Sequence, residues 1–545
     1  MRRHNKLLSL TFAFWGLVFG LSRSVAAQIN SVEPANSVSS APLSEIDALK
    51  ALPLPATIED KPIALSPDNL KTYQSFLIAP MASLVQQGLF SARLTREPGQ
   101  NLTPSSLWLQ ASRENEKNFK IGPDGWIQRF PETAGDTTSY TGFPFGTPDA
   151  VAVESNTVIK GQKIIWSLAS LPGVDPQLLY GIELTWFEKN RSVKRATGLY
   201  YRDYLQGKII PPPEKKDGPE KKDGSEKKDG EVQNSTDQLF LPKFSKALDW
   251  RELLQLLQPA VVFGYASLTY RYREPVEDDA WTYSPVLGRS RKVLESNRSD
   301  SILGSQLSLD DLFLFSTRPI RVKAEVVAEK FILAPFPLKD QLRLDSETDQ
   351  SEVGEDGASS IGSIPTARGL YRNRKGHSVG VLWNSETGLF PGLPGWIPTT
   401  IQLSPRKVWI VETRPLDPFS THGTEVLFVD QQTFIPFYKV TYDRKGSFLK
   451  WYMNAWSMVV GSDERTRIPI PLFTVAIDKT GELASSIETQ YVRRLIADTQ
   501  LRRKINVLFD IREHDKRAPK REVTAPEDSK DDAASSAATE EEIHE

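Results

Sequence analysis

Residues 407–456 read KVWIVETRPLDPFSTHGTEVLFVDQQTFIPFYKVTYDRKGSFLKWYMNAW, and the spacing of their apolar side chains decides the fold class. Residues 407–412 and 425–429 are short β-branched and aromatic runs. Phe437 to Tyr442 alternates, with Tyr438, Val440 and Tyr442 on one face of a strand and Lys439 and Thr441 on the other. Asp443-Arg444-Lys445-Gly446 is a turn ending in glycine, and Phe448 to Met453 resumes extended chain beyond it. This is a meander of antiparallel strands joined by short turns.

The same grammar recurs upstream. Ser267 to Arg273 and Ala280 to Ser284 read as strands, and Pro285 to Gly288 as a turn into Arg289–Leu294. Ahead of them, Trp250, Leu253, Leu254 and Leu257 follow i, i+3, i+4, i+7 spacing, which predicts a short amphipathic helix stopped by Pro259. Ser66-Pro67-Asp68 predicts a helix start, and the segment Leu70 to Phe90 a helix broken near Pro80. No regular alternation of strand and helix suggests a doubly wound parallel sheet. Twelve Trp, 25 Phe and 15 Tyr alongside 38 Pro favour strands and turns. The chain is expected to be mainly β, a large antiparallel sheet with a few helices.

The ends and soft segments speak to location. Arg2, Arg3, His4 and Lys6 precede an uncharged apolar run from Leu7 to Leu21, and Val25-Ala26-Ala27 is a small-residue cleavage site. Residues 1–27 are therefore read as a signal peptide cut between Ala27 and Gln28, with a periplasmic destination. The apolar run falls short of the about 20 residues that span a bilayer, and no later run approaches that length, so no transmembrane segment is expected in the mature chain. There is no cysteine, hence no disulfide framework and no lipid-modified terminus. Residues 28–65 read as a flexible lead-in and 66–513 as one β-rich domain. EKKDG occurs three times within Glu214–Gly230, a solvated polyampholyte with nothing to bury. Residues 345–363 read as a flexible loop, and 514–545 as a disordered acidic tail.

Motifs for chemistry are sparse. The five histidines (His4, His377, His422, His514 and His544) are scattered, and no HExxH or CxxC occurs, so no metal site is expected. There is neither a G-x-S-x-G elbow nor a phosphate loop, and no cofactor is implied. Lys and Arg total 67 against 69 Asp and Glu, without a basic stripe interleaved with aromatics, which argues against nucleic acid. Asp278-Asp279 and Asp310-Asp311 are adjacent carboxylates open to acid–base work or to pairing with Arg289, Arg291, Arg298 or Arg318.

One segment is more specific. Arg271-Tyr272-Arg273 is followed by Asp278-Asp279-x-Trp281-x-Tyr283-x-Pro285, then Arg289-x-Arg291-Lys292-Val293, Arg298-x-Asp300-Ser301, Gly304-Ser305 and Asp310-Asp311-Leu312. It closely resembles the signature of the bacterial family DUF1329, whose members are often labelled outer-membrane lipoprotein-sorting proteins. Pro405 to Glu412, Val426-x-Phe428-Val429-Asp430 and Tyr442-Asp443-x-x-Gly446 extend the likeness. Gln306 stands where the family usually has an acidic residue. The resemblance implies the fold of the lipoprotein carriers LolA and LolB: a half-open antiparallel β-barrel capped by helices, with an apolar concavity for acyl chains.

On that reading Trp281, Tyr283, Trp409 and Trp451 line a hollow, while Arg289, Arg291 and Arg298 at its rim meet an anionic head group. The competing reading makes Trp281 and Tyr283 plain core and pairs the arginines with Asp278, Asp279 or Asp300. The expected function is a non-catalytic periplasmic carrier of a lipid, a lipidated protein or another hydrophobic ligand, released to an outer-membrane or transporter partner. A protein-binding assembly factor of the outer membrane and a hydrolase with an unrecognised triad are the alternatives.

Overall fold

The computed structural model describes residues 45–56, 63–97, 99–130, 140–173, 178–204, 248–273, 276–338, 342–344, 381–461, 467–494 and 508–510. The signal segment, the EKKDG repeats, the 345–363 loop, His377 and the acidic tail lie outside them. The strands, in chain order, begin with β1 (Ile63–Ala64), β2 (Arg93–Leu94), β3 (Phe119–Ile121), β4 (Ile127–Arg129), β5 (Leu178–Glu188) and β6 (Arg191–Tyr204). Next come β7 (Leu248–Gln258), β8 (Ala266–Tyr272), β9 (Asp279–Ser284), β10 (Arg289–Val293), β11 (Val322–Pro337) and β12 (Leu342–Leu344). The last six are β13 (Ile401–Pro415), β14 (Thr424–Asp430), β15 (Pro436–Tyr442), β16 (Phe448–Gly461), β17 (Arg467–Asp478) and β18 (Leu483–Arg494).

All but β3 and β4 join one sheet. Its backbone is an antiparallel path from β11 through β13 to β18, then β5 to β10. The last long strand thus pairs with the first, Ile487 opposite Leu184, which welds the two halves of the chain together. The path does not close: β10 pairs with β9 and no other strand among the described residues. The expected mainly β, half-open architecture is what the chain adopts.

The register shows that the sheet curls. Asp311 bonds Lys439 on β15, while its neighbour Asp310 bonds Arg298, which reaches Thr269 on β8. On a flat sheet β15 and β8 would lie about 34 Å apart at 4.8 Å per strand. Two adjacent residues can touch both only if the sheet wraps around them. The inner, concave face therefore carries Lys439, Tyr452, Ala476, Ser485, Tyr200, Glu252 and Thr269 along successive registers. The outer face carries Tyr438, Val440, Trp451 and Met453, and Trp451 packs against Phe90 and Trp396 from segments layered outside.

Helices are few, as expected. α1 (Ala79–Gln86) starts at the break near Pro80, and α2 (Ser106–Asn118) is capped by Ser105. α3 (Thr157–Ser170), capped by Asn156, packs on β11 so closely that a Cβ on Gly161 would stand 2.7 Å from the Ala324 backbone. Only glycine admits that approach.

Three expectations need correction. Trp250, Leu253, Leu254 and Leu257 belong to strand β7 and not to a helix. Both faces of β7 are buried, so apolar residues fill consecutive positions and a helical spacing arises by coincidence. Ser66 does not cap a helix: its N–H donates to the side-chain Oδ1 of Asn69, and the helix opens at Leu70. The lead-in ends early, since Glu45–Ala51 is helical, with Leu52 and Leu54 buried after it.

Candidate functional site

The segment Ser308–Arg318 lies across the inner face as a strap. A capping box opens it: the Asp311 carboxylate accepts from the Ser308 N–H and hydroxyl. Phe313 and Leu314 then take left-handed backbone angles, φ 57° and φ 70°. Each such bulky residue costs on the order of 1 kcal/mol or more, so the surroundings must hold it there. They do. The Phe313 ring meets Tyr200 at 5.4 Å, Tyr180 at 6.2 Å and Trp456 at 6.3 Å, and Leu314 is wholly buried.

Ion pairs pin the strap along its length. Lys439 Nζ stands 2.5 Å from Asp311 and 3.3 Å from Glu425, with all three buried. Burial opposes each charge, but mutual attraction wins. Lys439 is held above its usual value, Asp311 well below the carboxylate range, and Glu425 at about 2. On β7, burial likewise works against the charge of Glu252, yet Arg202 at 2.6 Å and Arg298 at 3.7 Å bring its pKa to about 2. Arg202 also donates to Ser316, and the Arg318 guanidinium donates to the carbonyls of Tyr272 and Val276. Gln306 contributes main-chain groups: its N–H donates to Ser485 and its carbonyl accepts from Lys450.

Between strap and sheet lies a narrow cleft with about 30 Å³ of enclosed space. Its walls are mostly apolar: Tyr180, Ile182, Tyr200, Leu312, Phe313, Phe473 and Ile487. The enclosed space has room for little more than a water molecule, well below the about 300–1,000 Å³ typical of ligand sites, so an occupant must displace part of the wall. Leu312 and Phe313 occupy part of the concavity themselves.

The residues singled out in the sequence are dispersed. Trp281 and Tyr283 share a face of β9, as expected, but it is the outer one: they pack with Leu253, Leu268 and Phe509. Trp451 is also outer, whereas Trp409 lies deep within the core, stacked on Phe434 at 5.7 Å. Arg289 and Arg291 are exposed on the edge strand β10. Arg298 alone reaches the inner face, where it holds Asp310. The adjacent carboxylates divide among basic partners: Asp278 to Arg271, Asp279 to Lys292, Asp310 to Arg298 and Asp311 to Lys439. His422 lies 3.4 Å from Glu425, and its backbone N–H donates to Ser420.

Phe313, Lys439, Glu252, Glu425 and Arg202 were missed. One signal was available: Arg202-Asp203 and Arg251-Glu252 interrupt two apolar runs with charges in the same order, and antiparallel pairing of β6 with β7 sets each arginine opposite an acid.

Comparison with known proteins agrees with the likeness read in the sequence. The model of DUF1329, described as a protein of unknown function, matches residues 214–464. A domain from Vibrio parahaemolyticus, named as an outer membrane lipoprotein-sorting protein, is similar at 14% identity and TM-score 0.36, covering 64% of this chain and 98% of that one. A DUF1329 family protein from Desulfovibrio piger gives 13% and 0.36, with 63% and 95% covered. A LolA superfamily protein from Nitrosomonas europaea gives 9% and 0.32, with 61% and 93% covered. No curated protein matches.

Proposed function

We propose that this chain, which the DUF1329 model matches over residues 214–464, is a non-catalytic binding protein for the apolar part of a lipid, a lipidated protein or another hydrophobic ligand, working in the periplasm after cleavage between Ala27 and Gln28. One observation carries the reading: the cleft under the strap is walled by apolar side chains, and two of them, Leu312 and Phe313, come from a segment in strained backbone. A ligand that displaces the Phe313 ring releases that strain and buries acyl surface at about 0.8 kcal/mol per CH₂. Delivery to an outer-membrane or transporter partner would proceed from the bound state; among the described residues no helix is long and apolar enough to cross a membrane.

Native mass spectrometry of protein recovered from the cells that make it tests this directly. The expected result is a chain beginning at Gln28 with a bound lipid-sized adduct, which detergent displaces. A bare chain that also shows no saturable response to any amphiphile removes the proposal.

A further inference from the structure

The hairpin tips of the sheet are of two kinds. The turns joining β5 to β6, β15 to β16 and β17 to β18 read KN, DRKGS and KTGE over residues 189–190, 443–447 and 479–482, the polar and charged chemistry of solvated turns. The turns at the β10 end of the path differ. Between β7 and β8 residues 259–265 read PAVVFGY, and between β9 and β10 residues 285–288 read PVLG. In them Val261 is 70% exposed, Phe263 50%, Val286 62% and Leu287 54%. Single exposed apolar side chains are ordinary, but four on neighbouring tips form a patch, and such patches mark contact surfaces.

Register makes the two tips neighbours. Ala266 of β8 pairs with Tyr283 of β9, and a Cβ on Gly264 would stand 3.8 Å from the Tyr283 ring. Both turns therefore leave the sheet at the same end, two strand spacings or about 10 Å apart. The charge beside them has one sign. No Asp or Glu occurs in residues 253–273 or 280–294. Arg289 and Arg291 are exposed on β10 just past the second turn, while Lys292 is held by Asp279 at 2.7 Å.

Protruding apolar side chains backed by cations suit the surface of an anionic bilayer, where the apolar groups enter the acyl boundary and the guanidinium groups meet phosphates. A protein partner fits less well, since a stable interface takes about 20–30 residues a side. We propose that the β7–β8 and β9–β10 tips dock the protein on an anionic membrane surface, with Val261, Phe263, Val286 and Leu287 inserted and Arg289 and Arg291 on the lipid head groups. This goes beyond ligand binding and does not depend on it. It sets the cleft close to the lipid: Tyr200 of its wall pairs with Leu254, four residues before Gln258 at the base of the first tip, about 13 Å away.

The test floats the mature chain, from Gln28, with vesicles of equal parts phosphatidylglycerol and phosphatidylcholine, or of phosphatidylcholine alone. Wild type should bind the anionic vesicles about tenfold or more tighter, and high salt should remove the difference. Arg289→Gln with Arg291→Gln should remove it as well, leaving the weaker binding to neutral vesicles unchanged. Phe263→Ser with Leu287→Ser should weaken binding to both vesicles by about tenfold. All four positions are exposed, so thermal unfolding of these variants should match wild type. Phe419→Ser alters a side chain 82% exposed on the β13–β14 loop and should bind as wild type does. No binding to the anionic vesicles, or an equal loss in Phe419→Ser, overturns the proposal. So does a dimer in solution that Phe263→Ser with Leu287→Ser dissolves while flotation stays the same, since the tips would then join two copies of the chain.

Discussion

The two faces of β15 are equally deep and differently made. Tyr438 on the outer face and Lys439 on the inner are each 1% exposed. Outward, Tyr438, Val440 and the neighbouring Trp451 and Met453 pack as rings and chains against Phe90 and Trp396, held by apolar burial that has little directional demand. Inward, Lys439 meets Asp311 and Glu425 in fixed geometry beneath the strap. Desolvating such charges costs several kcal/mol each, so an ion pair there is weak as a source of stability. It is strong as a locator. The outer face holds the sheet together, while the inner face fixes where the strap lies and hence what shape the cleft takes.

Substitution should break that symmetry of depth most visibly. Lys439→Met strands two buried carboxylates and is expected to cost about 3–5 kcal/mol. Adding Asp311→Asn removes one of them and should return part of the loss, so the pair is strongly non-additive. On the outer face Trp451→Ala is expected to cost a similar ~3–5 kcal/mol, and adding Met453→Ala should cost more again. Denaturant unfolding of the two double-mutant cycles reads the difference. If the inner pair merely adds, the two faces are alike and the comparison fails.

Acid separates them next, with a smaller effect. Glu252 and Glu425 are held at about 2 against an ordinary 4.5, and Asp311 is held low as well. A depressed carboxylate stabilises the fold above its unfolded value, and that stability is lost as pH falls from about 4.5 toward 2. Glu488 has the opposite sign. Burial, then the nearby Glu183, raises it to about 8, although the Trp383 indole N–H donates to it at 2.6 Å. Its contribution is full below about 4.5 and drains away as pH rises through 8. Glu488→Gln should therefore be the more stable protein at pH 8, by roughly 2–4 kcal/mol, and near wild type at pH 5. Parallel stability curves for the two proteins across that range would show that Glu488 does not titrate there.

How much of this the sequence discloses depends on range. Strands β9, β10, β14 and β15 and their turns were legible because alternation and turn residues such as Gly288 and Gly446 are local signals. β7 was read as a helix because a strand buried on both faces loses its period of two. The inner site was harder. Lys439 and Asp311 are 128 residues apart, and no local pattern ties them. Alternation put Lys439 opposite Tyr438 correctly, but it says nothing about what covers the other face. The strap itself, short, irregular and set by two left-handed residues, has no period to detect. Aromatic identity misled in a different way: Trp281, Trp409 and Trp451 are all ring-bearing strand residues, and only topology assigns each to a face.

Trp281 offers the smallest effect and tests that last point. Its half-buried ring packs edge-on to Tyr270 at 5.2 Å, beside the outer cluster that includes Phe509. The Tyr270 hydroxyl donates to the Phe509 carbonyl, so the two rings help seat residues 508–510 on the sheet. Trp281→Ala forfeits the ring contact and part of the apolar burial. Because the site is already part-exposed, the loss should be about 1–2 kcal/mol, below the ~3–5 of a fully buried tryptophan. Binding of dodecanol should not change, since the ring faces away from the cleft under the strap. Tyr200→Leu, which alters the floor of that cleft, should weaken that binding instead. Thermal unfolding and a fluorescence titration on the two variants give both quantities. If Trp281→Ala weakens the ligand and Tyr200→Leu does not, the binding surface is the outer face, and the division of labour between the faces is reversed.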